Sequence, residues 1–371
     1  MAMSEKDTRY VMNSLSKIYV KALDNVDSID KVKKMNKLTD SLLVGRWLGR
    51  KSKMRQEYIQ RLDGTSLRIC IVTAKQDTNN HKKTGVLWLH GGGYCIGTCE
   101  QDFMYGDMFV EDDSAVMILP DYRKSDETPY PAALDDAYLT LVWMIVNAER
   151  LGINPSQIFV GGESAGGGLC AALTSFARDE GEINIAFQMP LYPMLDDRHT
   201  KTSSNNNAMI WDTKRNDIAW KYYKGDREAD KYCAPARETN YSNLPPTYSF
   251  VGTLDPFLDE VKTYMRNLYE AGVEVMYREY EGKEHAFDLL EYNNSCAKHV
   301  RALTKKAFKY AQENYFKQQP NDYVEGGFDY EHSAYVVSEF DKAADRTSRI
   351  EIDEINDMVD QIDLDRFFHN E

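Results

Sequence analysis

The sequence predicts an α/β fold in which a mostly parallel central sheet is packed by helices on both faces. After residue 66, short runs rich in β-branched residues appear, and several are almost continuously hydrophobic, as expected for strands buried on both faces. Helical patterns separate these runs, and this alternation is typical of doubly wound α/β sheets. The predicted strands are 67–74, 85–90, 115–120, 157–162, 185–190, 247–252 and 273–280, and the predicted helices are 131–150, 165–178, 257–271 and 294–316.

The length of 371 residues fits one large α/β domain with additions better than two equal domains. Residues 1–60 carry apolar side chains at helical spacing among charges and predict an N-terminal helical segment. Residues 195–235 are polar and then aromatic, which indicates an insertion within the main domain at 61–317. Residues 318–371 predict a linker followed by an acidic amphipathic helix.

The net charge of −14 is unevenly distributed along the chain. Residues 318–371 hold 15 acidic and 4 basic side chains, whereas residues 1–60 hold 13 basic and 7 acidic ones. An acidic tail argues against nucleic acid as the main partner. We expect the tail to pair with the basic N-terminal region, within one subunit or between two, unless it is a solvated appendage.

The six cysteines form no CxxC pair, and no matching His/Cys pair follows Cys95 and Cys99 to build a zinc site. Buried free thiols are the favoured interpretation for Cys70 and Cys170. The N-terminus lacks an apolar signal core, and no stretch reaches the roughly 18 apolar residues of a membrane span. The sequence therefore favours a cytoplasmic protein without stable membrane insertion.

Residues 162–166, Gly-Glu-Ser-Ala-Gly, fit the pattern G-x-S-x-G between a predicted strand and a predicted helix. A serine on such a tight turn adopts strained backbone angles, so the residues two positions away must be small. This context is the one that a nucleophile elbow requires, and it makes Ser164 a candidate nucleophile. Glu163 has two open interpretations: a hydrogen bond to a neighbouring loop or a solvated acid.

A second glycine-rich motif, His90-Gly91-Gly92-Gly93, follows the predicted strand 85–90. Three glycines let the backbone approach a substrate so that N–H groups can point at an oxyanion. A phosphate-binding loop would need a following Lys and Ser/Thr, and the residues "YCIGTCE" offer no Lys. The oxyanion interpretation is therefore favoured.

The segments "LHGGGYCIGT", "PDYRKSDETPYPAALDDAY", "GGESAGGGLCAAL", "LPPTYSFVGTLDPFLDE" and "EGKEHAF" resemble, in this order, the hormone-sensitive lipase-like family of α/β-hydrolases. The resemblance runs from about residue 66 to 316. It implies the α/β-hydrolase fold with a helical cap, here residues 1–60 and 195–235, and hydrolysis of short-acyl carboxylic esters.

The family pattern implies Ser164 as nucleophile, Asp255 as acid and His285 as base. It also implies an oxyanion hole formed by the backbone N–H groups of Gly92, Gly93 and Ala165. No metal or cofactor is expected. Two departures from the family are Lys124-Ser125-Asp126, where Leu-Ala-Pro is common, and Glu163, where Asp or Thr is more usual.

The same base and acid follow from the residues themselves. Among seven histidines, only His285 lies in a loop just after a late strand, in the Ser–Asp–His order of this fold, while bracing of the glycine loop is favoured for His90. Asp255 follows a predicted strand at its carboxyl end, where ligands bind in open α/β sheets. Its rivals, Asp259 and Glu260, are expected on the next helix.

The substrate is expected to be a small-molecule ester. Tyr94, Trp211 and Trp220 are candidate substrate-binding residues, although packing of the cap is at least as well supported for the two tryptophans. Alternatives are a carbohydrate-ester deacetylase, a peptidase, or a non-catalytic receptor on the same fold, the last disfavoured because His285 is present. Members of the family often pair through a late helix or an edge strand, which leaves a homodimer open.

Overall fold

The structure, a computed structural model, describes residues 21, 23, 27–76 and 81–320. Its centre is an eight-stranded sheet in the order β1-β2-β4-β3-β5-β6-β7-β8. The strands β3 to β8 are mutually parallel, whereas β2 pairs antiparallel with both β1 and β4. The strands are β1 (Ser52–Gln60), β2 (Ser66–Ala74), β3 (Lys83–Leu89), β4 (Ala115–Pro120), β5 (Ile153–Glu163), β6 (Phe187–Leu191), β7 (Thr247–Gly252) and β8 (Val275–Tyr280). The predicted mostly parallel α/β sheet is confirmed.

The helices of the described residues cover the sheet and connect its strands. They are α1 (Ile29–Leu43), α2 (Phe103–Val110), α3 (Ala132–Val146), α4 (Ala148–Leu151), α5 (Ala165–Glu180), α6 (Thr213–Lys224), α7 (Leu258–Glu270), α8 (Phe287–Leu290) and α9 (Ser295–Asn314). Short 3-10 helices occupy Cys99–Asp102 and Pro235–Arg237. The four helices predicted from the sequence therefore form where the apolar pattern placed them.

The prediction that residues 1–60 are helical is wrong at its C-terminal end, where β1 forms the edge of the sheet. Exposed Lys53 and Arg55 alternate with buried Ser52 and Met54, which is the period-2 pattern of a strand with one solvated face. Because β1 pairs with β2 alone among the described strands, it keeps many polar residues and lacks the hydrophobic run of an interior strand.

The helix α1 contributes to a second apolar cluster beside the main core. Its residues Val32, Met35 and Leu38 pack with Cys95 and Ile96, which lie just after the glycine-rich loop. The cluster also contains Ile210 from the 195–235 segment and Leu23. The two segments predicted to form a cap thus meet above this loop, while residues 1–20 and the acidic extension from 321 to 371 lie outside the described residues.

Candidate active site

The residues predicted to act together follow the carboxyl ends of neighbouring strands. Gly91 lies two residues beyond β3, Ser164 follows β5, Asp255 lies beyond β7 and His285 beyond β8. Since parallel strands end at the same edge of a sheet, four separate stretches of the chain meet there. The register pairs Leu89 with Gly162, which sets the two glycine motifs side by side.

Ser164 has the strained backbone that the motif predicts, with φ 57° and ψ −122°. A Cβ at Gly162 would lie 2.5 Å from the carbonyl oxygen of Leu89, and one at Gly166 would lie 1.9 Å from the same oxygen. Neither position can accept a side chain without moving β3. The turn therefore presents Ser164 at the start of α5 only because both flanking residues are glycine.

Ser164, His285 and Asp255 form one hydrogen-bonded chain. His285 Nε2 lies 2.8 Å from Ser164 Oγ, and His285 Nδ1 lies 2.8 Å from Asp255 Oδ2. The second oxygen of Asp255, Oδ1, accepts a hydrogen bond from the backbone N–H of Phe257 at 2.9 Å. All three side chains are buried. This arrangement allows a proton to pass from the hydroxyl to an imidazole whose other nitrogen is held by a carboxylate.

The rings around His285 fix the plane of its imidazole. Tyr192 and Phe257 contact it edge-on, with centroid distances of 5.1 and 5.0 Å. The rival acids lie elsewhere: Glu260 accepts the backbone N–H of Leu195, and Asp259 accepts that of Thr202. The expectation that both rivals lie on the helix after Asp255 is confirmed by the bounds of α7.

The glycine-rich loop turns back on itself beside Ser164. Gly92 has φ 120° and Gly93 has φ 61°, and a Cβ at Gly92 would lie 2.0 Å from the carbonyl oxygen of Ile96. Within the described part of the chain, the amides of Gly92 and Gly93 have no protein acceptor. Ala165 is the first residue of α5, so its amide also lacks an intrahelical partner. These three N–H groups are thus available to an oxyanion.

His90 supports this loop from below. Its Nδ1 donates to the carbonyl oxygen of Gly91 at 2.8 Å, and its ring stacks on Tyr122 at a centroid distance of 4.1 Å. Burial lowers the pKa of His90 to about 4, so the imidazole is neutral at neutral pH. The hydroxyl of Tyr122 donates to the carbonyl oxygen of His90 at 2.6 Å. These contacts agree with the prediction that His90 braces the glycine-rich loop.

The departures at 124–126 tie the loop to α1. Lys124 Nζ donates to the carbonyl oxygen of Gly97, while Asp126 Oδ2 accepts from Asn36 Nδ2 at 3.0 Å. Asn36 Nδ2 also donates to the carbonyl oxygen of Cys95 at 2.8 Å. Sequence reasoning missed Asn36, because a lone asparagine on a charged helix carries no signal of its partner. Here it connects the N-terminal helix to the loop that follows the glycines.

The three candidate substrate-binding aromatics differ in position. The ring of Trp211 lies against Gly93, where a Cβ would approach it to 2.5 Å, and its centroid is 6.3 Å from that of His285. Tyr94 is buried, stacks on Tyr223 at 3.7 Å and donates its hydroxyl to the carbonyl oxygen of Met194. Trp220 packs near the same tyrosines. Of the three, Trp211 is the one with a ring contact to the hydrogen-bonded chain.

One buried cluster has the residue types of a metal site: Cys70, Cys99 and Glu100. Arg68 donates to both oxygens of Glu100, at 2.6 and 3.1 Å, and lies 3.7 Å from the sulfur of Cys70. A guanidinium therefore already supplies the positive charge at this carboxylate, which argues against a bound cation there. All six cysteines are free thiols, as predicted for Cys70 and Cys170.

Comparisons with known proteins agree with this geometry. A family model described as the alpha/beta hydrolase fold matches residues 86–289. Esterase LipI of Mycobacterium tuberculosis is 34% identical over 202 residues, which cover 51% of this chain and 61% of LipI. Carboxylesterase NlhH of the same organism is 35% identical over 200 residues, covering 51% and 62%. A solved bacterial heroin esterase is 31% identical with a TM-score of 0.70, covering 77% of this chain and 93% of that chain.

The fold and site thus define an α/β-hydrolase of the type that carries a serine elbow. The chain belongs to the α/β-hydrolase family that this model describes, and its predicted place among the hormone-sensitive lipase-like members is confirmed by the esterases it resembles. The match spans about three-fifths of the length of these curated relatives, at 61% and 62%. Within the described residues, no helix has the length and apolar character needed to cross a membrane.

Proposed function

We propose that the protein is a serine carboxylester hydrolase that acts on small-molecule esters with short acyl groups. The observation that carries the proposal is the chain from Ser164 Oγ through His285 to Asp255, with both hydrogen bonds at 2.8 Å. It is supported by the names of the relatives, which are esterases and a carboxylesterase.

In the proposed reaction, His285 takes the proton of Ser164 as its oxygen attacks the ester carbonyl. The negative charge on the carbonyl oxygen is held by the amides of Gly92, Gly93 and Ala165, and a single donor of this kind is worth about 2.7–4 kcal/mol. Collapse of the intermediate breaks the C–O bond to the alcohol, which receives the proton from His285. Water then attacks the acyl-enzyme with His285 as base, releasing the acid and restoring Ser164.

The acyl preference is assigned to Trp211. Its ring lies over Gly93 and beside His285, so it would limit the space for the acyl or alcohol group. Tyr94 and Trp220 stay predictions for substrate binding. A cytoplasmic location is proposed because all six cysteines are free thiols. A homodimer is proposed from the family resemblance, and light scattering coupled to size-exclusion chromatography tests it.

The test of the proposal is release of p-nitrophenol from its acetate ester. Wild type should show a burst followed by turnover, and Ser164→Ala should lose at least about 1,000-fold in kcat. Ser175→Ala is the matched control, because Ser175 is also buried on α5 and its hydroxyl has no partner among the described residues. Equal activity of Ser164→Ala and wild type would refute the proposal.

A further inference from the structure

Glu163 lies directly beneath the glycine-rich loop and connects it to the serine turn. Its Oε1 accepts a hydrogen bond from the backbone N–H of Gly91, and its Oε2 accepts from Trp88 Nε1 at 3.0 Å. A Cβ at Gly91 would lie 3.0 Å from Oε1, so the loop sits as close to the carboxylate as a glycine permits. Glu163 is 2% exposed and precedes Ser164 in the chain.

A second carboxyl group, that of Asp102, faces Glu163 from the end of the 3-10 helix Cys99–Asp102. Asp102 is 1% exposed, and its carboxyl lies within hydrogen-bonding reach of Glu163. In the described part of the chain, no N–H or O–H of another residue is directed at either oxygen of Asp102. Two buried carboxylates in contact without a cation cannot both be ionised, so the pair must hold at least one proton.

The hydrogen bonds indicate which carboxyl holds that proton. Glu163 already accepts two N–H donors, one at each oxygen, and is therefore suited to be the ionised acceptor. Asp102 accepts none, so a proton on Asp102 gives one of its oxygens a partner by donation to Glu163. Burial, and next the charge of Glu163, raise the pKa of Asp102 well above its usual value, in agreement with this placement.

We propose that Asp102 and Glu163 form a proton-sharing pair that positions the oxyanion loop: neutral Asp102 donates to ionised Glu163, which holds Gly91 against the serine turn. The inference rests on the proposed function, because positioning Gly91 matters to catalysis through the adjacent amides of Gly92 and Gly93. Both acids are positioning residues, since neither touches Ser164 Oγ or the imidazole of His285 in the described contacts.

The pair predicts an asymmetry between two conservative substitutions. Asp102→Asn replaces an O–H donor by an N–H donor of almost the same shape, so kcat should stay within about 3-fold of wild type. Glu163→Gln brings an NH₂ group against the N–H of either Gly91 or Trp88, which leaves two donors facing each other. Its kcat should fall about 10- to 100-fold with little change in KM, because the lost contacts matter mainly in the transition state.

Asp102→Leu completes the comparison at the same position, since it fills the site without a donor. We expect its kcat to fall about 10-fold, with rescue in Asp102→Asn. If Glu163→Gln does not fold, the contrast of Asn and Leu at position 102 still decides the matter. Equal losses in Asp102→Asn and Asp102→Leu, or a tolerated Glu163→Gln, would overturn the proposed placement of the proton.

A spectroscopic measurement separates this inference from the proposed function. The infrared difference between wild type and Asp102→Asn at neutral pH should contain the C=O stretch of a protonated carboxyl, because the proposal puts the proton on Asp102. The absence of this band refutes the pair even if the enzyme is active. Conversely, full activity of Ser164→Ala with the band present would refute the proposed nucleophile and leave the pair in place.

Discussion

The 3-10 helix Cys99–Asp102 carries two buried acids, two residues apart, whose charges are compensated in opposite ways. Glu100 receives the guanidinium of Arg68 on both oxygens. Burial is the largest influence on its pKa and acts to raise it, but the hydrogen bonds and charge of Arg68, together with the donors of Thr98 and Gly45, outweigh burial and hold the pKa below its usual value. Asp102 faces Glu163 and has a raised pKa. The difference shows that burial alone does not set ionisation: the partner decides between a counter-ion and a proton.

Glu100 and Asp102 also connect the 3-10 helix to different parts of the molecule. Glu100 joins the helix to β2 through Arg68 and to the chain before β1 through the backbone N–H of Gly45. Asp102 joins it to Glu163 at the end of β5, beside Ser164. We therefore expect substitutions of Glu100 or Arg68 to reduce mainly stability, and substitutions of Asp102 to reduce turnover as well as stability.

The largest expected effect comes from removing the counter-ion. Arg68→Met leaves Glu100 and Asp121 without their guanidinium, and breaking a buried ion pair in this way costs about 3–5 kcal/mol in the free energy of unfolding. Urea denaturation measures the loss. Arg150→Met is the control, because Arg150 pairs with Glu57 in the same bidentate geometry but is partly exposed, and it should lose less than about 1 kcal/mol. Equal losses would contradict the importance of burial.

A smaller loss of stability is expected from substitutions of Asp102. Asp102→Leu removes one hydrogen-bond donor to Glu163. Glu163 keeps the N–H donors of Gly91 and Trp88, so its charge is not left without a partner. We therefore expect a loss of about 1–3 kcal/mol in the free energy of unfolding. Asp102→Asn should cost less than Asp102→Leu, since the amide still donates. The measurement is again urea denaturation at neutral pH, and a larger loss for Asn than for Leu would count against a neutral Asp102.

Much of the fold and of the candidate site could be predicted from the sequence. The interior strands β3 to β7 are mostly hydrophobic, and Ser164, Asp255 and His285 follow the parallel strands β5, β7 and β8, so topology alone brings them to one edge. The motif around Ser164 also predicted the steric need for Gly162 and Gly166. The chemical roles of the three side chains stay predictions until turnover is measured.

The rest depended on contacts that no local pattern encodes. In the stretch "CEQD", Glu100 and Asp102 look equivalent, and their partners Arg68 and Glu163 come from distant strands that only the sheet order brings near. The edge strand β1 was missed because a single neighbour lets it keep charged residues. The sequence does not decide between the two interpretations of Glu163 for the same reason. Its hydrogen-bond donors, Gly91 and Trp88, lie 72 and 75 residues away in the chain.

The smallest and most specific effect is that the contributions of Glu163 and Glu100 to stability depend on pH with opposite signs. Burial raises the pKa of Glu163 to about 7, against the hydrogen bond from Gly91. Below about pH 7 Glu163 therefore binds a second proton, in addition to the one on Asp102, and the folded state holds it more tightly than the unfolded chain does. Stability from this group is greatest below about pH 4.5 and falls as the pH rises through 7. Glu100 has a lowered pKa, so its contribution is present above its usual pKa of 4.5 and is lost as the pH falls below that.

Urea denaturation between pH 3 and 8 should therefore separate the two acids by slope. Relative to Glu163→Gln, wild type should lose stability from pH 5 to about 7, by on the order of 1 kcal/mol per pH unit, and the difference should level off above that pH. Relative to Glu100→Gln, wild type should lose its advantage from pH 5 to 3. Each comparison cancels the pH-independent cost of the substitution, because only the slope is read. Parallel curves for wild type and Glu163→Gln between pH 5 and 7 would mean that Glu163 keeps one protonation state over this range, which would contradict the raised pKa of Glu163.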